Sequence, residues 1–176
     1  MQNTQKFVAL LRGINVGGNK KVPMADLRTA FEKSGFTNVS TLLASGNVIF
    51  EGSEKATGDI ESNLEKTFGF EISTIIIPFK KIQEIIVANP FKGITITNNI
   101  RLYITFLKGK PASKLKIPYT SDDQSFTILK KTADTIFSVL DVDKRGTVDA
   151  MKILEQEFGK NITTRNYNTI QKIAQL

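Results

Sequence analysis

The chain has 176 residues, enough for one ordinary domain or two small subdomains, and its 40% hydrophobic and 23% charged residues are the composition of a folded globular protein. It contains no cysteine and no histidine, which excludes disulfides, thiolate nucleophiles and cysteine-ligated zinc or iron-sulfur centres, and removes the commonest general base near neutral pH. The net charge of +7 supports solubility and attraction to polyanions, and it is uneven: residues 1 to 99 carry 11 Lys/Arg against 9 Asp/Glu, residues 100 to 176 carry 13 against 8.

In chain order, Lys6 to Arg12 predicts a strand, and Pro23 to Ser34 a helix with Pro in its first turn, Asp26 near its positive end and Gly35 as its stop. Asn38 to Leu43 and Asn47 to Glu51 predict a strand pair around the tight turn Ala44-Ser45-Gly46. Ile60, Leu64 and Phe68 recur every four residues, which predicts a helix over Ala56 to Phe68, and the β-branched run Phe70 to Ile77 predicts a strand. Lys80 to Ala88 continues as a short helix, broken at Asn89-Pro90-Phe91-Lys92-Gly93.

The same order then restarts. Arg101 to Leu107 predicts a strand, Ala112 to Lys116 a short helix, Ser125 to Lys130 and Thr135 to Leu140 a strand pair, and Thr147 to Phe158 a helix. Asn161 to Thr164 supplies a last short strand, and Asn166 to Leu176 a terminal helix with Tyr167, Ile170, Ile173 and Ala174 on one stripe. Two successive β-α-β-β-α-β units predict an α+β fold: duplicated ferredoxin-like units with antiparallel sheets and an extra C-terminal helix. The expected division is residues 1–78, a helix and linker over 79–99, and residues 100–176. Phe7 to Leu11 and Thr74 to Ile77 are apolar on both alternating faces, so the sheet face away from the helices is expected to be covered by other protein. The start MQNTQKF has no apolar stretch behind a basic segment, and runs such as Val8 to Leu11 or Ile75 to Pro78 are far too short to span a bilayer; a cytoplasmic protein with no membrane partner is expected.

In a β-α-β-β-α-β unit the loop after strand 1 and the turn between strands 2 and 3 lie at the same end of the sheet. Here these are Gly13 to Lys21 and Ser45-Gly46-Asn47. Glycines let a ligand approach the backbone amides, and Lys20 and Lys21 add charge beside a helix start, so a small phosphorylated or carboxylated ligand would be ringed by Arg12, Gly13, Asn15, Gly17, Gly18, Lys20, Lys21, Ser45, Gly46 and Asn47. The same residues also suit a purely structural connection, with Asn15 and Asn47 bonding local backbone. A P-loop does not fit: Gly13 and Gly18 have its spacing, but Asn19 stands where Lys is required, and the dinucleotide pattern of three spaced glycines is absent.

Asp141 to Gly146 imitates the start of a calcium loop, but Arg145 and Lys152 occupy ligand positions, so no metal is expected and no cofactor is called for. Lys108, Lys110, Lys130 and Lys131 fall at the matching end of the second unit, as a polyanion site or as a solvated lysine-rich edge. Nucleic-acid binding through these lysines is therefore the alternative partner, without the aromatic RNP1 pattern of RNA-binding ferredoxin-like sheets. An enzyme using carboxylate or Lys chemistry is a third reading; Asp26 and Glu51 form no recognisable pair, so binding is favoured over catalysis. Oligomeric state is left open.

The segment Phe7 to Met24, FVALLRGINVGGNKKVPM, resembles the opening of a mostly bacterial family, domain of unknown function 1697, whose members typically begin with an LLRGINVGG segment. Asn89-Pro90-Phe91 is similar to its NPF segment, and Ile162 to Thr169, ITTRNYNT, to its TTRNWNT segment with Tyr167 where Trp is usual. The resemblance covers essentially the whole chain, is strongest from Phe7 to Phe50, and implies a pair of ferredoxin-like subdomains. From Phe137 to Val148 the chain departs from an aromatic-rich strand and a glycine, arginine, serine, lysine loop in relatives. Within ITTRNYNT, Thr164 or Asn166 is placed to cap a helix and Arg165 to reach a carboxylate or phosphate, which adds it to the candidate ligand residues; a buried ion pair is the other reading of Arg165.

Overall fold

The computed structural model describes residues 4–109, 111–144 and 149–176. The chain divides into two compact units, one reaching to Glu84 and including Ile173–Leu176, the other Ile85–Lys172. Among the described residues there are five α-helices and two antiparallel sheets, and no helix is long and apolar enough to cross a membrane.

The first unit runs β1 (Thr4–Leu11), α1 (Met24–Lys33), β2 (Thr37–Leu42), β3 (Asn47–Ser53), a 3-10 segment (Glu54–Asp59), α2 (Ile60–Phe68) and β4 (Thr74–Pro78), followed by α3 (Phe79–Ala88). Its sheet has the order β2-β3-β1-β4, with β1 central and antiparallel to both neighbours; Leu10 pairs Asn47 on one side and Ile75 on the other. Phe7, Ala9 and Leu11 point into the core with Leu27, Phe31, Val48, Phe50 and Leu64. Val8, Leu10 and Ile49 on the opposite face are buried too, as continuous apolar runs require. Phe31, Phe36 and Phe50 form an aromatic knot with ring centroids 4.7 to 5.8 Å apart. Predicted bounds shift by a residue or two throughout, and two starts move further. Ala56 belongs to the 3-10 segment, entered through Ser53, whose hydroxyl accepts the Ala56 N–H. Phe70 to Ser73 is irregular, because Gly69 leaves α2 in the left-handed conformation and the chain regains strand pairing only at Thr74.

The second unit runs β5 (Ile100–Leu107), β6 (Tyr119–Thr120), β7 (Phe126–Lys131), β8 (Thr135–Asp141), α4 (Ala150–Phe158), β9 (Ile162–Asn166) and α5 (Tyr167–Ile173). Its sheet has the order β6-β7-β8-β5-β9. Leaving aside the two-residue β6, this is the first unit's order. The ends of the two central strands are also held alike: Leu11 N–H donates to Gly46 O and Arg12 N–H to Ser73 O, while Leu107 N–H donates to Asp134 O and Lys108 N–H to Asn161 O.

The helix predicted over Ala112 to Lys116 is not there. Residues 111–116 form a strap without helical structure, bending at 117–118 into β6, in which Leu115 and Ile117, with Tyr119 of β6, pack partly buried on the core of Phe126, Ile128, Leu154 and Phe158 while Lys114 and Lys116 are exposed. Apolar residues at every second position bury one face of an extended chain, not of a helix. A strap outside a sheet leaves its N–H groups without partners, and Glu157 of α4 supplies them: its Oε1 accepts from Lys114 N–H, Leu115 N–H (both 3.0 Å) and the Ser113 hydroxyl (2.6 Å). That hydroxyl, with the two amides, holds the Glu157 carboxyl below its ordinary value against the opposing pull of burial. Phe91 of the Asn-Pro-Phe segment is buried, its ring 4.9 Å from Tyr167 and 6.1 Å from Phe137. The helix start predicted at Thr147 lies outside the described residues, as do Lys110 and the Arg145-Gly146 end of the calcium-loop look-alike; α4 is capped by Asp149, which accepts from Met151 and Lys152 N–H.

Candidate functional site

The loop after β1 and the β2–β3 turn come together, and the residue that joins them is Asn15. Its Nδ2 donates to Ala44 O in the turn and to Val22 O, both at 2.9 Å, and its Oδ1 accepts from Val22 N–H at 2.8 Å. Both donor hydrogens of the Asn15 carboxamide and one bond to its oxygen are therefore engaged in fastening the loop. Its φ of +56° is one that Asn tolerates better than most residues. Between Asn15 and Lys20 the chain folds back on itself, with Asn15 N–H on Lys20 O and Asn19 N–H on Val16 O; Gly13, Gly17 and Gly18 all turn with positive φ.

The close approach is fixed at Gly46. It has φ +80°, and a Cβ there would lie 2.7 Å from Ile14 Cδ1 and 2.9 Å from Leu11 Cβ. Only glycine fits where the turn backbone lies on the end of β1. Asn47 is fully buried, with Nδ2 donating to Leu42 O and the Ser45 hydroxyl, so it shapes the turn from inside.

The cations separate into different roles. Lys20 Nζ donates to Glu71 O at 2.8 Å and lies 5.7 Å from the Phe70 ring centroid, which ties the loop to the segment before β4. Arg12 is half-buried, its N–H on Ser73 O. Lys21 is exposed and makes no hydrogen bond or ion pair among the described residues. It lines a hollow of about 410 Å³ with Asn15, Gly18, Val22, Pro23, Met24 and Ala44. That hollow adjoins the start of α1, where Pro23 provides no side-chain cap and the first intrahelical bond is Leu27 N–H to Pro23 O. The N–H groups of the first helical turn, next to one uncommitted ammonium, make a place where a negative charge is favoured. Val16 and Leu43, 68% and 50% exposed, add apolar surface to the same two loops. A reading led by charge and glycine names Lys21 and Gly18 but misses Val22, Pro23, Met24 and Ala44; the Val-Pro step just before a helix start was the available signal.

Arg165 belongs to the second unit. The residue is 8% exposed, its guanidinium donates to Thr163 Oγ1 at 2.8 Å and Thr164 O at 3.0 Å, and burial pushes its pKa down to about 10. Asn166, not Thr164, caps the following helix, its Oδ1 accepting Asn168 N–H; the Thr164 hydroxyl bonds that of Thr105. Of the second-half lysines, Lys131 turns inward, 5.5 Å from the Phe158 ring centroid and 3.4 Å from Pro111 O, and Lys108 and Lys130 are exposed. The two carboxylates considered for catalysis stay apart in role: Asp26 is exposed in the first turn of α1, and Glu51 accepts from Asn38 Nδ2.

Among solved structures the chain is similar to a conserved bacterial protein, SP0830, from Streptococcus pneumoniae, with a TM-score of 0.73 and 20% identity over 98% of each chain. At that identity the likeness shows the fold alone. No protein of curated function matches the chain. The model of a family described as protein of unknown function, DUF1697, matches residues 4–132, which include the fastened loop, the turn that receives it and the strap; the chain belongs to this family.

Proposed function

We propose that the protein binds a small phosphorylated or carboxylated ligand at the hollow between the loop after β1 and the start of α1. The observation that carries this reading is Lys21, an exposed ammonium without a partner among the described residues, lining a hollow of about 410 Å³ beside an uncapped helix start. That volume is within the range of small-molecule sites, and the walls are ordered by bonds that do not involve the ligand, so little conformational entropy is lost on binding. Arg12, Gly13, Gly17, Ser45, Gly46 and Asn47 support the walls in this reading, Lys20 anchors the loop, and Arg165 is a separate element of the second unit.

The finer reading of the fold is a duplicated ferredoxin-like pair. Its support is the shared strand order and the matching bonds at the ends of β1 and β5. The test of function is calorimetric titration with small phosphomonoesters and carboxylates. Binding is expected in wild type, with Lys21→Ala weakening it at least tenfold and Lys20→Ala less. No binding, or equal binding by Lys21→Ala, rejects the reading.

A further inference from the structure

The second unit has a hollow of about 480 Å³ lined by Ile96, Thr97, Asn98, Ile100, Arg101, Leu102, Asn166 and Asn168. Arg101 is half-buried at the start of β5, and one end of its guanidinium is pinned: Nη1 donates to Asn98 O at 2.6 Å and to Ile100 O at 3.2 Å. Among the described residues nothing takes its Nη2 or Nε hydrogens, and no acid lines the hollow. The charge is therefore held in position without being neutralised by protein.

Three asparagine side chains line the same hollow. Asn166 uses its oxygen to cap Asn168 N–H, while its Nδ2 and the side chains of Asn98 and Asn168 have no partner among the described residues. The loop carrying Asn98 is itself fixed, with Ile100 N–H on Thr97 O and Asn99 N–H on Thr97 Oγ1. Asn166 and Asn168 come from the ITTRNYNT segment, so a sequence signature that the first-unit site does not use supplies two of the polar groups.

The geometry points to a second ligand site, around Arg101, for a small monocarboxylate that carries an amide or similar hydrogen-bonding group. A guanidinium pinned through Nη1 keeps its other edge for two parallel bonds to a carboxylate. A single cation matches one negative charge, and a phosphate dianion would be left half-compensated. The carboxamides offer donors and an acceptor to the remainder of the molecule, and Ile96, 69% exposed, forms an apolar wall.

Succinamate, its neutral counterpart succinamide, and inorganic phosphate test this, followed by NMR of the side-chain amides of Asn98, Asn166 and Asn168. Succinamate is expected to shift these signals with saturation, succinamide to bind at least tenfold more weakly, and phosphate to leave them in place. Arg101→Gln is expected to cost at least tenfold, and Arg101→Lys, which keeps the charge and loses the fork, at least threefold. If Arg101→Gln does not fold, the Lys variant and the neutral probe decide. Equal binding of succinamide, stronger binding of phosphate, unchanged binding in the variants, shifts confined to residues 12–24, or no saturable shift overturns the proposal. It stands independently of the first-unit site.

Discussion

The two units solve one topological problem in two ways. Each must carry the chain from the end of its central strand to an outer strand across the same face of a sheet of the same order. The first unit does so with a fastened loop and α1, burying Leu27, Ala30 and Phe31 at helical spacing. The second does so with a non-helical strap that packs Leu115, Ile117 and Tyr119, each half-buried, at every second position. A sheet face needs an apolar cover and does not require that it be a helix. The difference is in where the backbone hydrogen bonds go: α1 satisfies its own, whereas the strap depends on Glu157.

The largest effect is expected where the first unit is least tolerant. Gly46→Ala combines a positive φ with a Cβ in contact with Leu11 and Ile14, and should cost about 2–4 kcal/mol. Asp134→Ala, at the matching bond of the second unit, should cost about 1 kcal/mol, through the Thr132 and Thr135 hydroxyl bonds it loses. Urea unfolding of both variants measures the gap, and equal losses would contradict the contrast in tolerance drawn between the two strand ends.

Next is the strap. Glu157→Ala removes the acceptor of the Ser113 hydroxyl and of Lys114 N–H, and one of the two acceptors of Leu115 N–H, and should cost about 2 kcal/mol. Amide exchange at Lys114 and Leu115 should accelerate while that of α1 does not change; acceleration in both units would show that the strap is not a local device. Acid should act through the same group. Folding lowers the Glu157 pKa, so its contribution is complete above the unfolded value of about 4.3 and is lost as pH falls through the lower folded value. Stability should therefore fall more steeply below pH 4.3 in wild type than in Glu157→Gln, and parallel curves would contradict the assignment.

Asn15→Ala removes three side-chain bonds at an exposed position and should cost about 1–2 kcal/mol by thermal unfolding, while loosening the hollow beside Lys21. The smallest effect is a gain. Leu43 is half exposed with φ +61°, and Leu43→Gly should be neutral or stabilising by up to about 1 kcal/mol in the same measurement. A clear loss would mean that Leu43 contributes packing to the loop cluster that its exposure does not suggest.

Much of the fold was legible because its signals are local. The every-fourth-residue apolar spacing of Ile60, Leu64 and Phe68, the stop at Gly69 and the turn at Gly46 each act within a few residues. The strap was misread because Ala112 to Lys116 is rich in helix formers, while the alternation of Leu115, Ile117 and Tyr119 against Lys114, Lys116 and Pro118 extends past that window. Its deciding partner, Glu157, is more than forty residues away. The candidate site was legible as a juxtaposition of two loops, since strand order alone brings them to one end. Which polar group does what was not. Asn15, Lys20 and Lys21 look alike as candidate ligand groups in the sequence, and the structure commits the first to fastening the loop, the second to Glu71 O, and leaves the third on the hollow. Arg101 gave no sequence signal, because its value lies in two carbonyls that pin one nitrogen.

Composition and short-range patterning thus carried the absence of cysteine and histidine chemistry, the family, the element order of the first unit and the two loops that meet. These depend on composition and on patterns shorter than one secondary-structure element. That a strap replaces a helix in the second unit, and which cations keep their charge unpartnered among the described residues, emerged from long-range contacts alone. Both depend on hydrogen bonds between residues far apart in the chain, and a side chain's availability is set by what the fold has already bonded it to.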